Sequence, residues 1–389
     1  MQVEVSHEEL ARALKVASKT TSRRPTLPVL SGARLEVLDG QLTIATTDLE
    51  VTSRTTISQS YAGADSIDGV VVVPTLELAA AVKGKPAKGA TVALKHDQEA
   101  GVLHVYAGAM VVALRTLEAE DFPTLNASDL GSLVTSSLEL ITAWATRVLP
   151  AAHDDEARPV LTAVSIERKG CELTAAATDS YRLHVYQATD HDHGDCSFLV
   201  PARALRLALD VAKIWKADAG ALRYVTIASM SDPRYSSAGQ VTFTIGRTVL
   251  SARCIEGEFP PWRNLVPTIS SEHAVIEITD AAAVKTMLDM ATDQTRRHHD
   301  GGPFRIEAHG PDVVGTIITQ DVSTIELPLA GMRVRDGELA PAAYNARYLR
   351  DMVAANGEGT MHVRDGLKPA LFGNGNGFSG LLMPVRSPA

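Results

Sequence analysis

The feature that most constrains the fold of this chain is an internal repeat. Each third of the 389 residues opens with a short alternating stretch followed by a helical pattern, as in "VEVSHEELARALKVAS" from residue 3, "LELITAWATRVLPAA" from residue 138 and "IEITDAAAVKTMLDMA" from residue 276. A fixed period of this length indicates tandem copies of one structural unit. The chain is therefore predicted to contain three related modules.

Two further motifs recur in the same order. A Thr-Asp pair follows small residues in "ATTDLEVTSRT" (45 to 55) and "AATDSYRLHVY" (176 to 186), and Gln320-Asp321 takes its place in the last third. A second helical pattern then follows in each third: "VVPTLELAAAVKG" from residue 72, "LVPARALRLALDVAKIW" from residue 199 and "AYNARYLRDMVAANG" from residue 343. The Thr-Asp pair thus marks the repeat.

The remaining segments are mostly alternating strands, such as "QLTIATT" and "GVLHVYA", with turn signals at Asp39-Gly40 and Asp365-Gly366. Many strands with two helices per repeat favour an α+β fold, with a helix layer on antiparallel sheets, over a doubly wound parallel sheet. The predicted domains are 1-127, 132-264 and 268-389. Each is large enough to have its own core.

The distribution of charge is more informative than its total. The net charge of −9 argues by itself against binding nucleic acid, whose phosphates require cations. However, the six predicted helical segments hold 18 of the 37 Lys and Arg residues and only 8 of the 46 Asp and Glu residues. A shared helical face would be a positive surface on an acidic body. Alternatively, Lys and Arg are simply good helix formers.

No sequence pattern indicates secretion, a membrane span, a metal site or catalysis. The start has no basic or apolar signal region, so a cytoplasmic protein is expected. Cys171, Cys196 and Cys254 are predicted to be buried, reduced thiols. "HDHG" (191 to 194) and His298-His299 are predicted to be solvated turns, and "GNGNGF" (373 to 378) a hairpin turn. We expect no cofactor, no metal and no active site.

The ordered motifs resemble one bacterial family across essentially the whole chain. "SRRPTLPVLSGARLEV" (22 to 37), "TTDLEV" (46 to 51), "EARPVLTAVSIE" (156 to 167), "EGEFPPWRNLVP" (256 to 267) and "LLMPVRSPA" (381 to 389) are similar to segments of the DNA polymerase III β subunit, the DNA sliding clamp. The resemblance implies three copies of a processivity-clamp domain. It also implies that two chains form a six-domain ring, whose helices surround duplex DNA.

The resemblance further implies two sets of site residues. Arg24 matches a DNA-lining family residue, although it could instead cap helix carbonyls, and helix position adds Lys83, Arg203 and Arg206. A pocket for short peptides of partner proteins, of the Gln-Leu-x-Leu-Phe type, would consist of Leu161, Thr178, Ser180, Tyr181, Arg182, Leu183, Pro260, Leu265, Asn345, Tyr348, Leu367, Met383, Pro384, Val385 and Arg386. The implied partners are double-stranded DNA, the DNA polymerase III alpha subunit, the clamp loader, other clamp-binding-motif proteins and a second copy of the chain, with no membrane.

Several alternatives stay open at this stage. Without the family, Leu161, Leu183 and Leu265 would be core residues, and Met383 to Arg386 a final strand. Ser180 and Tyr181 replace the family's frequent Gly and His, and the acids of "AAHDDEA" (151 to 157) would repel DNA. A specialised second-copy clamp that confers tolerance to a clamp inhibitor is one alternative. The other is an α+β enzyme or small-molecule binder that uses an interdomain groove.

Overall fold

A computed structural model of the chain describes residues 1–22, 25, 27–60, 66–84, 87–123, 132–189, 195–215, 224–230, 239–297, 303–319 and 323–386. The chain divides into two compact units. Residues 1–138 and 203–254 form the first, and residues 139–202 and 255–389 form the second. Both units take residues from the predicted middle module, so the domain boundaries 127/132 and 264/268 stay predictions.

Six α-helices lie within the described residues, at the positions of the six helical patterns. They are α1 (His7–Thr20), α2 (Thr75–Ala81), α3 (Leu138–Val148), α4 (Ala202–Trp215), α5 (Ala281–Arg297) and α6 (Ala346–Asn356). In α1 the buried residues Leu10, Leu14 and Ala17 follow helical spacing, because one face packs on the core. Glu8 and Glu9 in its first turn and Lys19 in its last complement the helix dipole.

The first unit contains two antiparallel sheets. The four-stranded sheet has the order β1-β6-β7-β8, and the eight-stranded sheet has the order β5-β2-β3-β4-β16-β15-β14-β9. Their strands are β1 (Gln2–Ser6), β2 (Gly32–Leu38), β3 (Gln41–Thr47), β4 (Val51–Ser58), β5 (Gly69–Pro74), β6 (Thr91–Asp97), β7 (Val102–Ala107), β8 (Met110–Arg115), β9 (Ser132–Ser137), β14 (Tyr224–Met230), β15 (Gln240–Ile245) and β16 (Thr248–Arg253).

The second unit contains one twelve-stranded antiparallel sheet, in the order β13-β10-β11-β12-β24-β23-β22-β17-β20-β19-β18-β21. Its strands are β10 (Ala163–Lys169), β11 (Glu172–Thr178), β12 (Arg182–Thr189), β13 (Cys196–Pro201), β17 (Ala274–Ile278), β18 (Phe304–His309), β19 (Asp312–Thr319), β20 (Ser323–Asp336), β21 (Ala342–Tyr344), β22 (Gly359–Val363), β23 (Ala370–Gly373) and β24 (Phe378–Leu382). Helices and antiparallel sheets together confirm the α+β prediction.

The sheets continue from one predicted module into the next. In the first unit, Val51 to Thr55 of β4 pair with Ala252 to Thr248 of β16. In the second, Arg182 to Tyr186 of β12 pair with Leu382 to Phe378 of β24. Because edge strands of successive modules are joined by backbone hydrogen bonds, the compact units do not follow the module boundaries.

The first Thr-Asp pair forms the turn between β3 and β4. Asp48 Oδ1 accepts hydrogen bonds from the backbone N–H groups of Glu50 (3.1 Å) and Val51 (2.9 Å). The Thr47 hydroxyl donates to the carbonyl of Val51 (3.3 Å). Leu49, between them, has φ +77°, a left-handed conformation that is rare for a branched side chain. The Thr and Asp side chains therefore hold a tight turn that the intervening residue alone would not favour.

The second Thr-Asp pair forms the same turn between β11 and β12. Asp179 Oδ1 accepts from the N–H groups of Tyr181 and Arg182, each at 3.0 Å, and the Thr178 hydroxyl donates to the carbonyl of Arg182 (2.7 Å). Ser180 has φ +76°. The repeated motif is thus first of all a structural device that closes a hairpin. The counterpart Gln320-Asp321 lies outside the described residues.

The main core of the second unit packs α5 and α6 on the sheet. Its fully buried residues include Leu288, Phe304, Leu349 and Met352. A Cβ at Gly315 of β19 would come within 1.9 Å of the Phe304 ring, so only glycine fits there. The position of this aromatic ring is therefore fixed by the strand beside it.

Three local predictions can be compared with the structure. The prediction that Met383 to Arg386 continue a strand is wrong, because β24 ends at Leu382. The prediction of a hairpin turn at "GNGNGF" is confirmed, since it joins the paired strands β23 and β24. The cysteines are free, but only Cys254 is buried, while Cys171 and Cys196 are partly exposed.

None of the helices in the described part of the chain is both long and apolar enough to cross a membrane.

Candidate functional site

The candidate site of the second unit is built around a buried arginine. Arg182 begins β12 directly after the Thr-Asp turn and is only 3% exposed. Its Nε donates to Asp179 Oδ2 (2.9 Å), its Nη1 donates to Asp351 Oδ2 (2.7 Å), and its Nη2 donates to the carbonyl oxygen of Pro150. A charge removed from water needs such partners. Arg182 therefore ties the β11-β12 hairpin to α6 and to the segment after α3.

One tyrosine ring lies over this arginine, and a second tyrosine lies beside the first. The Arg182 guanidinium is 4.2 Å from the centroid of the Tyr348 ring, a cation–π contact. The Tyr181 ring centroid is 6.4 Å from that of Tyr348, at an angle of 31°. Burial, followed by the negative charge of Asp179, raises the pKa of Tyr348. Tyr348 thus remains a neutral phenol at physiological pH. The neighbouring Tyr181 is 59% exposed.

The start of α6 and the C-terminal segment are fixed beside these rings. The Asn345 side chain caps α6 by accepting from the N–H of Tyr348 (3.2 Å). The N–H of Met383 donates to the carbonyl of Tyr181 (2.9 Å), and the N–H of Val385 donates to the carbonyl of Ala343 (2.8 Å). The segment after β24 is therefore held next to the hairpin turn.

Several large apolar side chains of the predicted pocket are exposed. Leu367 is 82% exposed, Leu265 is 62% exposed and Met383 is 38% exposed. Leu367 lies on a turn in which Asp365 Oδ1 accepts its N–H at 2.7 Å. Together with Tyr181, these exposed residues of the predicted pocket are called here the apolar rim.

A small cluster of buried residues lies beside the rim residues in sequence and includes residues of β12 and β24. It contains Ala176, Leu183, Val185, Trp262, Leu371 and Leu381, with Phe259 packed against it. Leu183 follows Arg182 on β12, and Leu381 precedes Met383 by two residues. The apolar side chains of β12 and β24 are thus divided between this cluster and the main core of the second unit, which contains Phe378 and Leu382.

The predicted pocket residues fall into three groups by exposure. The buried ones are Leu161, Thr178, Arg182 and Leu183; the partly buried ones are Pro260, Asn345, Tyr348, Pro384 and Val385; the exposed ones are Ser180, Tyr181, Leu265, Leu367, Met383 and Arg386. The core interpretation therefore fits Leu161 and Leu183 but fails for Leu265. Hydrogen bonds and ring contacts directly join Thr178, Tyr181, Arg182, Asn345, Tyr348 and Met383.

Sequence reasoning missed the two carboxylates that compensate Arg182. Asp179 belongs to the Thr-Asp motif, and its turn position could have indicated a role. Asp351 lies three residues after Tyr348 on α6, so both face the same side of the helix. Asp351 also accepts from Arg350 (2.5 Å), which extends the charge network.

At least one of the predicted DNA-lining cations is paired with acids of the same chain. Arg24 lies outside the described residues, and Lys83 and Arg206 are exposed. Arg203, on α4 of the first unit, is paired with Asp48 and, at 2.6 Å, with Glu50. Its charge is thus largely compensated within the chain.

The described residues give little support to a metal site or to acid–base catalysis. In the described ranges, no group of three or more His, Cys, Asp or Glu side chains could hold a metal ion; "HDHG" and His298-His299 lie outside them. A cavity of about 400 Å³ in the second unit is lined by Ile269, Gly359, Thr360, His362, Leu371, Phe372, Gly373, Asn374 and Gly375. Only His362 can titrate there, so the cavity has no acid–base pair.

Comparison with known proteins agrees with this organisation. The chain matches the family models of the DNA polymerase III beta subunit, N-terminal domain at residues 1–126 and central domain at residues 138–261. The Beta sliding clamp of Synechocystis sp. is 26% identical over 411 residues, and that of Streptomyces coelicolor is 26% identical over 407; each alignment covers 99% of both chains.

A solved structure shows the same fold. The beta subunit from DNA polymerase of Streptococcus pyogenes matches with a TM-score of 0.85 at 19% identity, over 100% of both chains. At this identity the structural likeness supports the fold alone. The two family models, however, cover well over half of the chain. The chain therefore belongs to the DNA polymerase III beta subunit family.

Proposed function

We propose that this protein is a ring-shaped DNA sliding clamp that encircles duplex DNA and tethers replicative and repair polymerases. It gives processivity and has no active site of its own. Its family and its curated relatives support this function. The single structural observation that carries the docking role is that the exposed residues Tyr181 and Met383 are joined to the Arg182–Tyr348 pair by ring contacts and a backbone hydrogen bond.

The site suits a short peptide from a partner protein. Leu265, Leu367 and Met383 offer apolar contacts on which Leu or Phe anchors would be buried, and Met adapts its shape to them. Tyr181 and Tyr348 offer ring faces and hydroxyls. The surface is preorganised, since hydrogen bonds already fix the hairpin turn and the C-terminal segment, so little ordering is needed on binding.

The proposed partners are duplex DNA, the DNA polymerase III alpha subunit, the clamp loader and other proteins with clamp-binding motifs. A closed ring needs only loose phosphate contacts, because it cannot leave DNA sideways. Lys83, Arg206 and Arg24 are the proposed DNA-facing cations; Arg203, being paired with acids, would contribute less. We place the activity in the cytoplasm, with domains at 1-127, 132-264 and 268-389.

The proposed ring also requires a contact between two copies. Strand β8 is an edge of its four-stranded sheet and exposes Met110 (44%) and Val111 (56%). The first half of β20 pairs on one side with β19, while only Met332 to Asp336 pair with β17, so its other edge is available within the described residues. Exposed edges favour pairing with another chain. We therefore infer that β8 of one copy pairs with β20 of the next.

Peptide titration tests the docking role. A labelled peptide that ends in a Gln-Leu-x-Leu-Phe motif is expected to bind, to lose binding when residues 383–389 are removed, and to bind roughly fivefold more weakly to Met383→Ala. Met290→Ala is the matched control, because Met290 is 51% exposed but lies on α5, away from the apolar rim in sequence. Unchanged affinity in both the truncated protein and Met383→Ala would refute the site assignment.

A further inference from the structure

The second helices of the middle and last modules place equivalent arginines in unequal surroundings. The second helical patterns align as "PARALRLAL" (201 to 209) and "NARYLRDMV" (345 to 353), so Arg203 of α4 corresponds to Arg347 of α6. The Thr-Asp turns align as "TDLEV" (47 to 51) and "TDSYR" (178 to 182). These correspondences allow the partners of each arginine to be compared position by position.

In the first unit Arg203 forms ion pairs with two carboxylates of the turn. Arg203 binds both Asp48, the motif Asp, and Glu50, two residues later. Both carboxylates belong to the β3-β4 turn, whose backbone is fixed by hydrogen bonds from the same Asp48. The cation of the helix and the acids of the turn therefore compensate each other.

In the second unit neither of the corresponding acids is available to Arg347. The motif Asp179 is bound to Arg182, which stands where the first repeat has Val51, and Tyr181 stands in place of Glu50. Arg347 is exposed and forms no ion pair with any other described residue. Arg347 directly precedes Tyr348 on α6, and its counterpart Arg203 reaches Glu50 (2.6 Å), the turn residue whose place Tyr181 takes.

We propose that Arg347 is a specificity-determining residue of the docking site, and that it selects partner peptides with a carboxylate beside their apolar anchors. This inference rests on the proposed peptide-docking function. The partner would supply the acid that Glu50 supplies to Arg203 in the first unit. An exposed guanidinium that directly precedes Tyr348 in the chain suits an acidic peptide, since it can bind a carboxylate with two parallel hydrogen bonds.

The test compares charged and neutral peptides of equal shape. Two labelled peptides contain Gln-Leu-Asp-Leu-Phe and Gln-Leu-Asn-Leu-Phe, and further Asp/Asn pairs vary the position before and the position after the motif. For at least one pair, the full-length protein is expected to bind the Asp peptide roughly two- to fivefold more tightly at low salt, a gap that shrinks as salt screens the charges. Arg347→Gln should close the gap by weakening the Asp peptide only.

Arg335→Gln is the matched control, because it removes another exposed arginine of the same unit; it should leave the gap unchanged. Equal affinity of the full-length protein for both members of every pair would overturn the role of Arg347 while leaving the docking site in place. A gap that persists in Arg347→Gln would also overturn it and would point to Arg386, the other exposed arginine of the site. Failure of all the peptides to bind would overturn the docking function and this inference together.

Discussion

At the scale of single residues, the interior behind the site contains a histidine that is neutral because it is buried. His184, two residues after Arg182 on β12, has no exposed surface. Its Nδ1 is 2.6 Å from the carbonyl oxygen of Arg147, and its ring meets the Phe378 ring edge-on at 5.5 Å. Burial lowers the pKa of His184 to about 4, against the opposing effect of the Arg147 carbonyl.

This lowered pKa predicts sensitivity to acid. Between about pH 6.5 and 4 the unfolded chain binds a proton at His184 that the folded chain does not, so the free energy of unfolding falls as the pH falls through this window. The loss from this group is on the order of a few kcal/mol. His184→Phe removes the titration. Urea unfolding at pH 7 and at pH 4.5 should show a smaller drop for the variant; equal drops would contradict the assignment.

At the scale of elements, one cation joins three parts of the second unit. Arg182 binds the hairpin turn through Asp179, α6 through Asp351, and the segment after α3 through the carbonyl of Pro150. The carboxylates are themselves nearly buried, with side chains 6% and 12% exposed. The packing of these elements therefore depends on a charge balance as well as on apolar contacts.

Removal of this cation is expected to be costly. Arg182→Met leaves two poorly hydrated carboxylates without their main partner, and we expect the free energy of unfolding to fall by about 3–5 kcal/mol. Arg333→Met is the control, because the Arg333–Asp312 pair is exposed and 3.7 Å long, and its loss should change stability by less than about 1 kcal/mol. Chemical denaturation of both variants measures the difference. A similar small loss in both would show that Arg182 is not a structural centre.

The elements were predictable to a greater degree than the site. The helices and hairpins follow from apolar periodicity and turn residues, which act locally, and the three-fold repeat made each assignment support the others. The partners of Arg182 did not follow, because Asp351 lies 169 residues away and only the fold brings the two together. The same holds for Leu265 and Leu183, which look alike in sequence, yet one is 62% exposed and the other 5%.

At the scale of the whole molecule, the proposed edge contact determines assembly. Acidic substitution of the exposed apolar residues of β8, as in Met110→Glu with Val111→Glu, should prevent pairing because burial of these charges is unfavourable. Light scattering is expected to give twice 41.4 kDa for the unmodified protein and 41.4 kDa for the variant.

Leu38→Glu is a suitable control for this experiment, since Leu38 ends β2 and is 59% exposed. It should stay dimeric. A β8 variant that keeps the double mass would place the contact elsewhere on the chain.

The joining of β4 to β16 and of β12 to β24 has a further consequence for copies of this protein. Modules within one chain meet through two different strands of the module. The proposed contact between chains, β8 against β20, also joins two different strands. Such head-to-tail contacts leave one unpaired edge strand at each end of a row of modules until the last module pairs with the first. A substitution that altered the bend per module, while sparing every contact, would be expected to turn a closed particle into an open, growing fibre.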